Sequence, residues 1–131
     1  MDNISIVWDF NGVLFKEFKL DSRTFEFVKV LNNRGFVQYA LTNTHLWRLE
    51  QYKRKYLIQN HFKKIYSTKE IGLNKTDPKV FLSLKVEVTN KILMIDDKEE
   101  NLRVPKAMGA DTILYVDDIQ LKEAFKLLGI F

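Results

Sequence analysis

Side chains that could take part in metal or phosphate chemistry occur in four short segments of this chain. Asp9 follows one apolar run, Thr42 closes a second, and Lys75 lies in a polar loop. The acidic pair Asp96 and Asp97 ends a third apolar run. If these segments meet, the carboxylates can hold a hard divalent cation, while the lysine and the hydroxyl can bind a phosphate group. A carboxylate in such a place can also act as a nucleophile.

Each segment has an ordinary structural explanation as well. An aspartate such as Asp9 commonly caps a turn after a strand, and Thr42 can cap the helix that follows it. Asp96 and Asp97 can cap a helix and add negative charge to its first turn. The two explanations are compatible, because Asp96 can cap the helix while Asp97 binds metal. The functional interpretation therefore depends on all four segments occurring together.

Apolar periodicity predicts strands that alternate with helices along the whole chain. The apolar, β-branched run 4–8 is typical of a buried strand, and Phe25, Val28 and Leu31 recur at helical spacing. The predicted strands are 4–8, 36–41, 63–67, 91–95 and 112–116. The predicted helices run from Asp21 or Ser22 to Gly35, from Asn43 or Thr44 to about Tyr56, from Pro78 (capped by Asp77) past Leu84, from Asn101 to Met108 and from Ile119 to Leu128.

This alternation predicts an α/β fold, a three-layer Rossmann-like domain with a parallel sheet of about five strands. The length of the chain predicts one domain, 1–131, and no repeat or linker marks a second one. Ligands in such folds bind at the carboxyl ends of the strands, where Asp9, Thr42 and Asp97 are expected. Gly12 allows the chain to turn sharply after the first strand.

Composition restricts the possible classes of protein. The absence of cysteine excludes disulfides, thiolate metal sites and a cysteine nucleophile. The net charge of +4 favours anionic ligands without specifying nucleic acid. Apolar runs are far shorter than the ~20 residues that span a bilayer, and no signal peptide is apparent. We therefore expect a cytoplasmic protein with no membrane partner.

The order of the four segments resembles that of the haloacid dehalogenase-like (HAD) hydrolases. The residues that carry the resemblance are 9–14, 41–44, 75–78 and 95–97, and it covers nearly the whole chain. The resemblance implies an Mg²⁺-dependent phosphatase that works through a phosphoaspartate. The acidic pair and the sequence Leu-Thr-Asn-Thr at 41–44 resemble the motifs of the family's subgroup of small-molecule phosphatases and dehalogenases.

The resemblance also implies a role for each site residue. Asp9 would be the nucleophile, and Lys75 would neutralise phosphate charge, with Lys79 as a competing candidate that more naturally faces solvent. Thr42, Asn43 and Lys75 would bind phosphate. Asp9, Asp97 and the backbone carbonyl of Asn11 would hold Mg²⁺, and Asp96 would orient a metal-bound water or hold Lys75.

Asn11 departs from the family pattern, in which phosphatases carry a second aspartate that protonates the leaving group and later activates water. An amide cannot exchange that proton, and such help is worth about 10²–10⁴-fold in rate. The sequence therefore predicts slow turnover, least impaired for leaving groups that depart without protonation. Dehalogenases of the family usually carry an aromatic residue there, so dehalogenation ranks below phosphatase activity. The first alternative is a catalytically silent phosphate-binding or interaction module.

The spacing of the segments leaves no room for a cap domain, so substrate contacts beyond the phosphate must come from elsewhere. The stretch 15–20, with Phe15 and Phe18, is predicted to be a flap near the site. The substrate can be a small molecule or a macromolecule. The segment 47–69 interleaves basic and aromatic residues, which would suit a nucleic-acid end phosphatase, although an ordinary solvated helix face is favoured. Phe27 and Val30 would suit a homo-oligomer contact or a second buried face.

Overall fold

A five-stranded parallel sheet forms the centre of the protein in a computed structural model, which describes residues 4–131. Its strands are β1 (Ile4–Trp8), β4 (Val37–Thr42), β5 (Lys64–Ser67), β6 (Lys91–Asp96) and β7 (Asp111–Leu114). Their order across the sheet is β5–β4–β1–β6–β7. A small antiparallel hairpin, β2 (Phe15–Lys16) with β3 (Lys19–Leu20), follows β1. Residues 1–3 of the predicted domain 1–131 lie outside the described residues.

Helices cover both faces of the sheet. They are α1 (Ser22–Asn33), α2 (Leu46–Tyr56), α3 (Thr68–Ile71), α4 (Pro78–Glu87), α5 (Glu99–Ala107) and α6 (Asp118–Leu127), with a short 3-10 helix at Ile58–His61. Buried side chains of α1, α2 and α6 pack on one face, and those of α4 and α5 pack on the other. The predicted three-layer α/β architecture is therefore confirmed.

Alternating side chains of the strands explain why both faces are covered. In β1, Ile6 and Trp8 join the core under α1, α2 and α6, whereas Val7 joins the core under α4 and α5. Each such buried side chain contributes about 1.5–3 kcal/mol of transfer free energy. The buried indole of Trp8 donates to Gln38 at 2.8 Å, and the Gln38 amide donates to the Val28 carbonyl at 2.9 Å. The indole nitrogen of Trp8 is therefore buried with a hydrogen-bond partner.

The start of α2 differs from the prediction. The helix begins at Leu46 and follows His45, whose side chain makes no capping hydrogen bond, so neither Asn43 nor Thr44 is the cap. The Thr44 hydroxyl lies 2.6 Å from the hydroxyl of Thr42 instead. Because that hydroxyl is already engaged by the end of β4, the chain extends for a few residues before the helix can form.

Other boundaries agree within a few residues. Asp21 caps α1, and Asp77 caps α4 ahead of Pro78, as predicted. Helix α5 begins at Glu99, before the predicted start at Asn101, and the backbone amide of Lys98 just before it donates to the Asp96 carboxylate at 3.0 Å.

The described residues contain no cap domain between the segments of the predicted site. Between β1 and β4 lie only the hairpin and α1, and between β4 and α4 lie α2, the 3-10 helix, β5 and α3. The predicted flap is the β2–β3 hairpin. Phe15 is buried in the core and Phe18 is exposed, so only Phe18 is available as a flap residue. None of the helices in residues 4–131 combines the length and the apolar character needed to cross a bilayer.

Candidate active site

Strand register brings the carboxylates of two separate strands to one edge of the sheet. Trp8 pairs with Ile95, and the amide of Asp9 donates to the Ile95 carbonyl at 2.9 Å. Asp9 therefore lies beside the end of β6, where Asp96 is the last residue of the strand and Asp97 follows it. Oxygen atoms of these three carboxylates lie within 4.8 Å of one another. The predicted convergence of Asp9 and Asp97 is present in the structure.

The Lys75 ammonium group lies between two of these carboxylates. Its Nζ atom donates to Asp9 Oδ1 at 2.6 Å and to Asp96 Oδ2 at 2.9 Å, and the side chain is only 3% exposed. A buried charge is expensive unless it is paired and hydrogen-bonded, and both conditions hold here. Lys79 is exposed on α4, so Lys75 is the lysine that reaches the carboxylates.

Asp96 holds Lys75 in place and is itself held by hydrogen bonds from the start of α5. Its carboxylate accepts hydrogen bonds from the backbone amide of Lys98 at 3.0 Å and from the Asn101 side chain at 3.3 Å, besides Lys75. The residue therefore holds the lysine and also fixes the turn that leads into α5. Asn101 was missed as a site residue, because its position in the sequence signals only a helix start.

Asp97 is the carboxylate with spare hydrogen-bonding capacity. Its Oδ1 atom is buried and accepts no hydrogen bond from the residues that the structure describes. A Cβ atom at Gly12 would lie 2.2 Å from Asp97 Oδ2, and Gly12 has φ of +91°. The glycine therefore permits both the sharp turn after β1 and the close approach of the carboxylate.

The charges at this edge fit a divalent cation. Three carboxylates and the Lys75 ammonium leave two formal negative charges (three minus one) in a largely buried cluster. Burial raises the pKa of Asp9 from 3.8 to about 7; the neighbouring Asp96 and Asp97 carboxylates add to the rise, and Lys75 opposes it. Such an excess of negative charge, with a buried carboxylate oxygen lacking a partner, is the donor set that Mg²⁺ prefers.

A chain of hydroxyl groups connects Asn11 with the end of β4. The Asn11 amide donates to Thr44 Oγ1 at 3.0 Å, and that oxygen lies 2.6 Å from Thr42 Oγ1. The Tyr52 hydroxyl donates to Asn11 Oδ1 at 3.4 Å. The structure thus links Asn11 with Thr42 through Thr44, and it adds Tyr52 as a further contact of Asn11. Thr44 belongs to the segment 41–44, whereas Tyr52 belongs to the basic and aromatic segment 47–69 and was not expected at the site.

Asn43 presents its side chain at the surface between Thr42 and α2. Its Oδ1 atom accepts a hydrogen bond from the Thr68 hydroxyl at 2.5 Å, which ties the loop after β4 to α3. Thr42 itself is fully buried. Asn43 is therefore the more accessible residue of the predicted phosphate-binding segment.

Comparison with solved structures shows which proteins share this fold. A hydrolase from Streptococcus pneumoniae superposes with a TM-score of 0.78 at 14% identity, covering 96% of this chain and 100% of its own. A HAD family enzyme from Bacteroides thetaiotaomicron, in its magnesium complex, gives a TM-score of 0.65 at 20% identity. That match covers 73% of this chain and 52% of the enzyme, so this chain spans about half its length.

No protein-family model and no curated protein sequence matches the chain. The similarity to solved structures is therefore one of fold. The chain has the core fold of the HAD family hydrolases, as the order of its four segments predicted.

Replacing Gly12 by alanine is expected to weaken Mg²⁺ binding at least about tenfold, because the added Cβ displaces the Asp97 carboxylate. Gly35→Ala is the matched control: Gly35 has φ of +88°, and its Cβ would contact nothing within 4 Å. Both variants carry similar backbone strain, and Gly12→Ala should lose more stability because its Cβ also meets the Asp97 carboxylate. Calorimetric titration with Mg²⁺ should separate them, and equal affinities would contradict this role for Gly12.

Replacing Asp9 by asparagine is expected to stabilise the metal-free protein at pH 8 by about 1–4 kcal/mol, and by clearly less at pH 5. Burial raises the pKa of Asp9 from 3.8 to about 7, so the folded protein keeps a proton that the unfolded chain releases. Stability therefore falls as the pH rises through this window. Thermal unfolding of both proteins measures the difference.

The exposed Glu26→Gln change on α1 controls for the loss of one negative charge and should show no such pH dependence. Saturating Mg²⁺ should remove the advantage of Asp9→Asn, because the cation stabilises the ionised carboxylate in the original protein. An advantage that is equal at pH 5 and pH 8 would show that ionisation of Asp9 is not its cause.

Proposed function

We propose that this protein is an Mg²⁺-dependent phosphatase that transfers a phosphoryl group to Asp9 and then to water. The observation that carries the proposal is the buried contact of Lys75 with Asp9 and Asp96, beside the unpartnered Asp97 oxygen. A purely structural ion pair would not need a third carboxylate within 4.8 Å. The fold shared with HAD family hydrolases supports the same choice.

Asp9 is placed to act as the nucleophile. One carboxylate oxygen forms a bond to phosphorus, the bond to the leaving oxygen breaks, and a phosphoaspartate results. Lys75 holds Asp9 in one orientation and places a positive charge where negative charge develops on the phosphoryl oxygens. Thr42 and the backbone at Asn43 bind those oxygens from the end of β4.

Asp9, Asp97 and the backbone carbonyl of Asn11 would hold Mg²⁺, which when bound offsets the charge of the phosphate and of the carboxylates. The Bacteroides enzyme with this fold has been solved with magnesium and inorganic phosphate. That complex supports the proposal that this site binds both a magnesium ion and a phosphate group. In this chain, Asp96 keeps Lys75 in place, which would leave the Asp97 carboxylate available to hold the cation.

Asn11 makes both halves of the reaction slow. The side chain donates to Thr44 and accepts from Tyr52, so it can orient neighbours but cannot give a proton to the leaving group. The second half, hydrolysis of the phosphoaspartate, also lacks a base at this position. Aryl phosphates, whose leaving groups depart without protonation, should therefore be the best substrates.

Turnover of p-nitrophenyl phosphate with and without Mg²⁺ tests the proposal. We expect slow hydrolysis that disappears on chelation of the metal, and slower hydrolysis of sugar phosphates. Absence of hydrolysis together with Mg²⁺-dependent binding of inorganic phosphate would instead favour a silent phosphate-binding module. Absence of both would refute the proposal.

A further inference from the structure

Two aromatic side chains and one arginine form an exposed cluster near Asn11, composed of Phe18, Trp47 and Arg48. Phe18 is 59% exposed and Trp47 is 58% exposed. The Arg48 guanidinium lies 4.1 Å from the centre of the Phe18 ring and 4.5 Å from that of Trp47. The tip of the hairpin and the first turn of α2 therefore present aromatic faces and a positive charge together.

The cluster is connected to the candidate active site through Tyr52. Arg48 lies one helical turn before Tyr52 on α2, and the Tyr52 hydroxyl donates to Asn11 Oδ1 at 3.4 Å. Phe15, at the base of the hairpin, stacks on the Tyr52 ring with centres 3.8 Å apart. Hairpin and helix are thus joined beside Asn11, and the Phe18 tip extends outward from that junction.

The hairpin holds Phe18 in an unfavourable backbone conformation. Glu17 has φ of 50° and Phe18 has φ of 64°, in the left-handed region where hairpin turns usually carry glycine or asparagine. The base of the hairpin is fixed by Lys16, which donates to the Tyr115 hydroxyl at 2.6 Å and pairs with Asp21. Strain of this kind, held in place by its surroundings, is characteristic of binding and catalytic sites.

Basic residues continue from the cluster along α2. An open groove is lined by Phe18 and Arg48 at one end and by Arg54, Lys55 and Tyr56 further along. The groove therefore combines three positive charges with aromatic rings on one surface. A positively charged groove with aromatic stacking platforms is the arrangement that binds single-stranded nucleic acid.

We propose that this surface binds the phosphorylated end of a single nucleic-acid strand. The terminal phosphate enters the proposed phosphatase site, the adjacent base stacks on Phe18 or Trp47, and the backbone follows Arg54 and Lys55. This inference rests on the proposed function for the terminal phosphate. An acidic peptide would use the charges but would leave the stacked rings without a role, and a small phosphate ester would not reach Arg54.

Fluorescence polarisation with a labelled, end-phosphorylated single strand tests the inference in the Asp9→Asn variant, which holds the strand without turnover. Phe18→Ala and Trp47→Ala should each weaken binding about tenfold, the usual effect of losing one stacking platform. Affinity should fall with added salt with a logarithmic slope of about −2, as expected for about three phosphate contacts. Arg48→Ala should weaken binding, whereas Arg103→Ala, the same charge change at an exposed position of α5, should not.

Two glycine variants separate binding from folding. Glu17→Gly relieves the turn and keeps the Phe18 ring, so it should raise the unfolding temperature and retain strand binding. Phe18→Gly relieves the turn and removes the ring, so it should weaken binding without lowering the unfolding temperature. A Phe18→Gly protein that binds as tightly as the original would overturn the role of the ring.

Equal affinity for a phosphorylated mononucleotide, or for the same strand without its terminal phosphate, would overturn the inference. Hydrolysis of p-nitrophenyl phosphate without strand binding would also overturn it and would leave the proposed function intact. If the protein binds the strand through the cluster but hydrolyses no phosphate ester, the proposed nucleic-acid surface is supported and the proposed phosphatase activity is refuted. The two proposals can therefore fail separately.

Discussion

The Asp9→Asn variant is expected to lose Mg²⁺-dependent hydrolysis of p-nitrophenyl phosphate by about 10³-fold or more. A neutral amide is not a nucleophile toward phosphorus, and it is a weaker ligand for a hard cation. Lys75 would keep its contact with Asp96 at 2.9 Å, so the lysine should remain in place. Initial rates with saturating Mg²⁺ measure the loss.

The same variant supplies its own control for folding, because it should be the more stable protein above pH 7. Loss of activity with a raised unfolding temperature assigns the effect to chemistry. Intact-mass measurement after incubation with a reactive phosphate donor adds a second readout: one phosphoryl group on the original protein and none on Asp9→Asn. Equal rates for the two proteins would show that Asp9 is not the nucleophile.

Replacing Asn11 by aspartate is expected to accelerate hydrolysis of alkyl phosphates by about 10²–10⁴-fold and that of aryl phosphates much less. The new carboxyl can still accept from the Tyr52 hydroxyl, and the Thr44 hydroxyl can rotate to donate to it. The kcat values for a sugar phosphate and an aryl phosphate measure the difference.

Asn43→Asp is the matched control, since it makes the same chemical change in the segment predicted to bind phosphate. Added negative charge there should raise KM and lower kcat/KM for every phosphate ester. Acceleration confined to Asn11→Asp would assign the gain to proton transfer. If Asn11→Asp brings no gain on alkyl phosphates, another step limits turnover and the explanation from Asn11 is wrong.

The elements of the fold were largely predictable from local sequence. Asp21 and Pro78 mark the starts of α1 and α4, and the apolar run ending at Asp96 marks β6. The start of α2 was not predictable, because Thr44 resembles a helix cap by its type. Its hydroxyl is instead used by Thr42 and Asn11, and that competition depends on how β1 and β4 lie together.

By itself, the sequence determined the alternation of strands and helices and hence which residues end parallel strands at one edge. This alternation is a local property, since the periodicity of apolar residues that distinguishes strands from helices occurs over short stretches of sequence. Only the tertiary structure decided that Lys75 lies between Asp9 and Asp96, that Tyr52 contacts Asn11, and that Arg48 meets Phe18. Lys75 and Asp9 are 66 positions apart along the chain, and Tyr52 and Asn11 are 41 positions apart. They depend on strand register and on the rotation of each helix about its axis, which packing fixes and spacing along the chain does not.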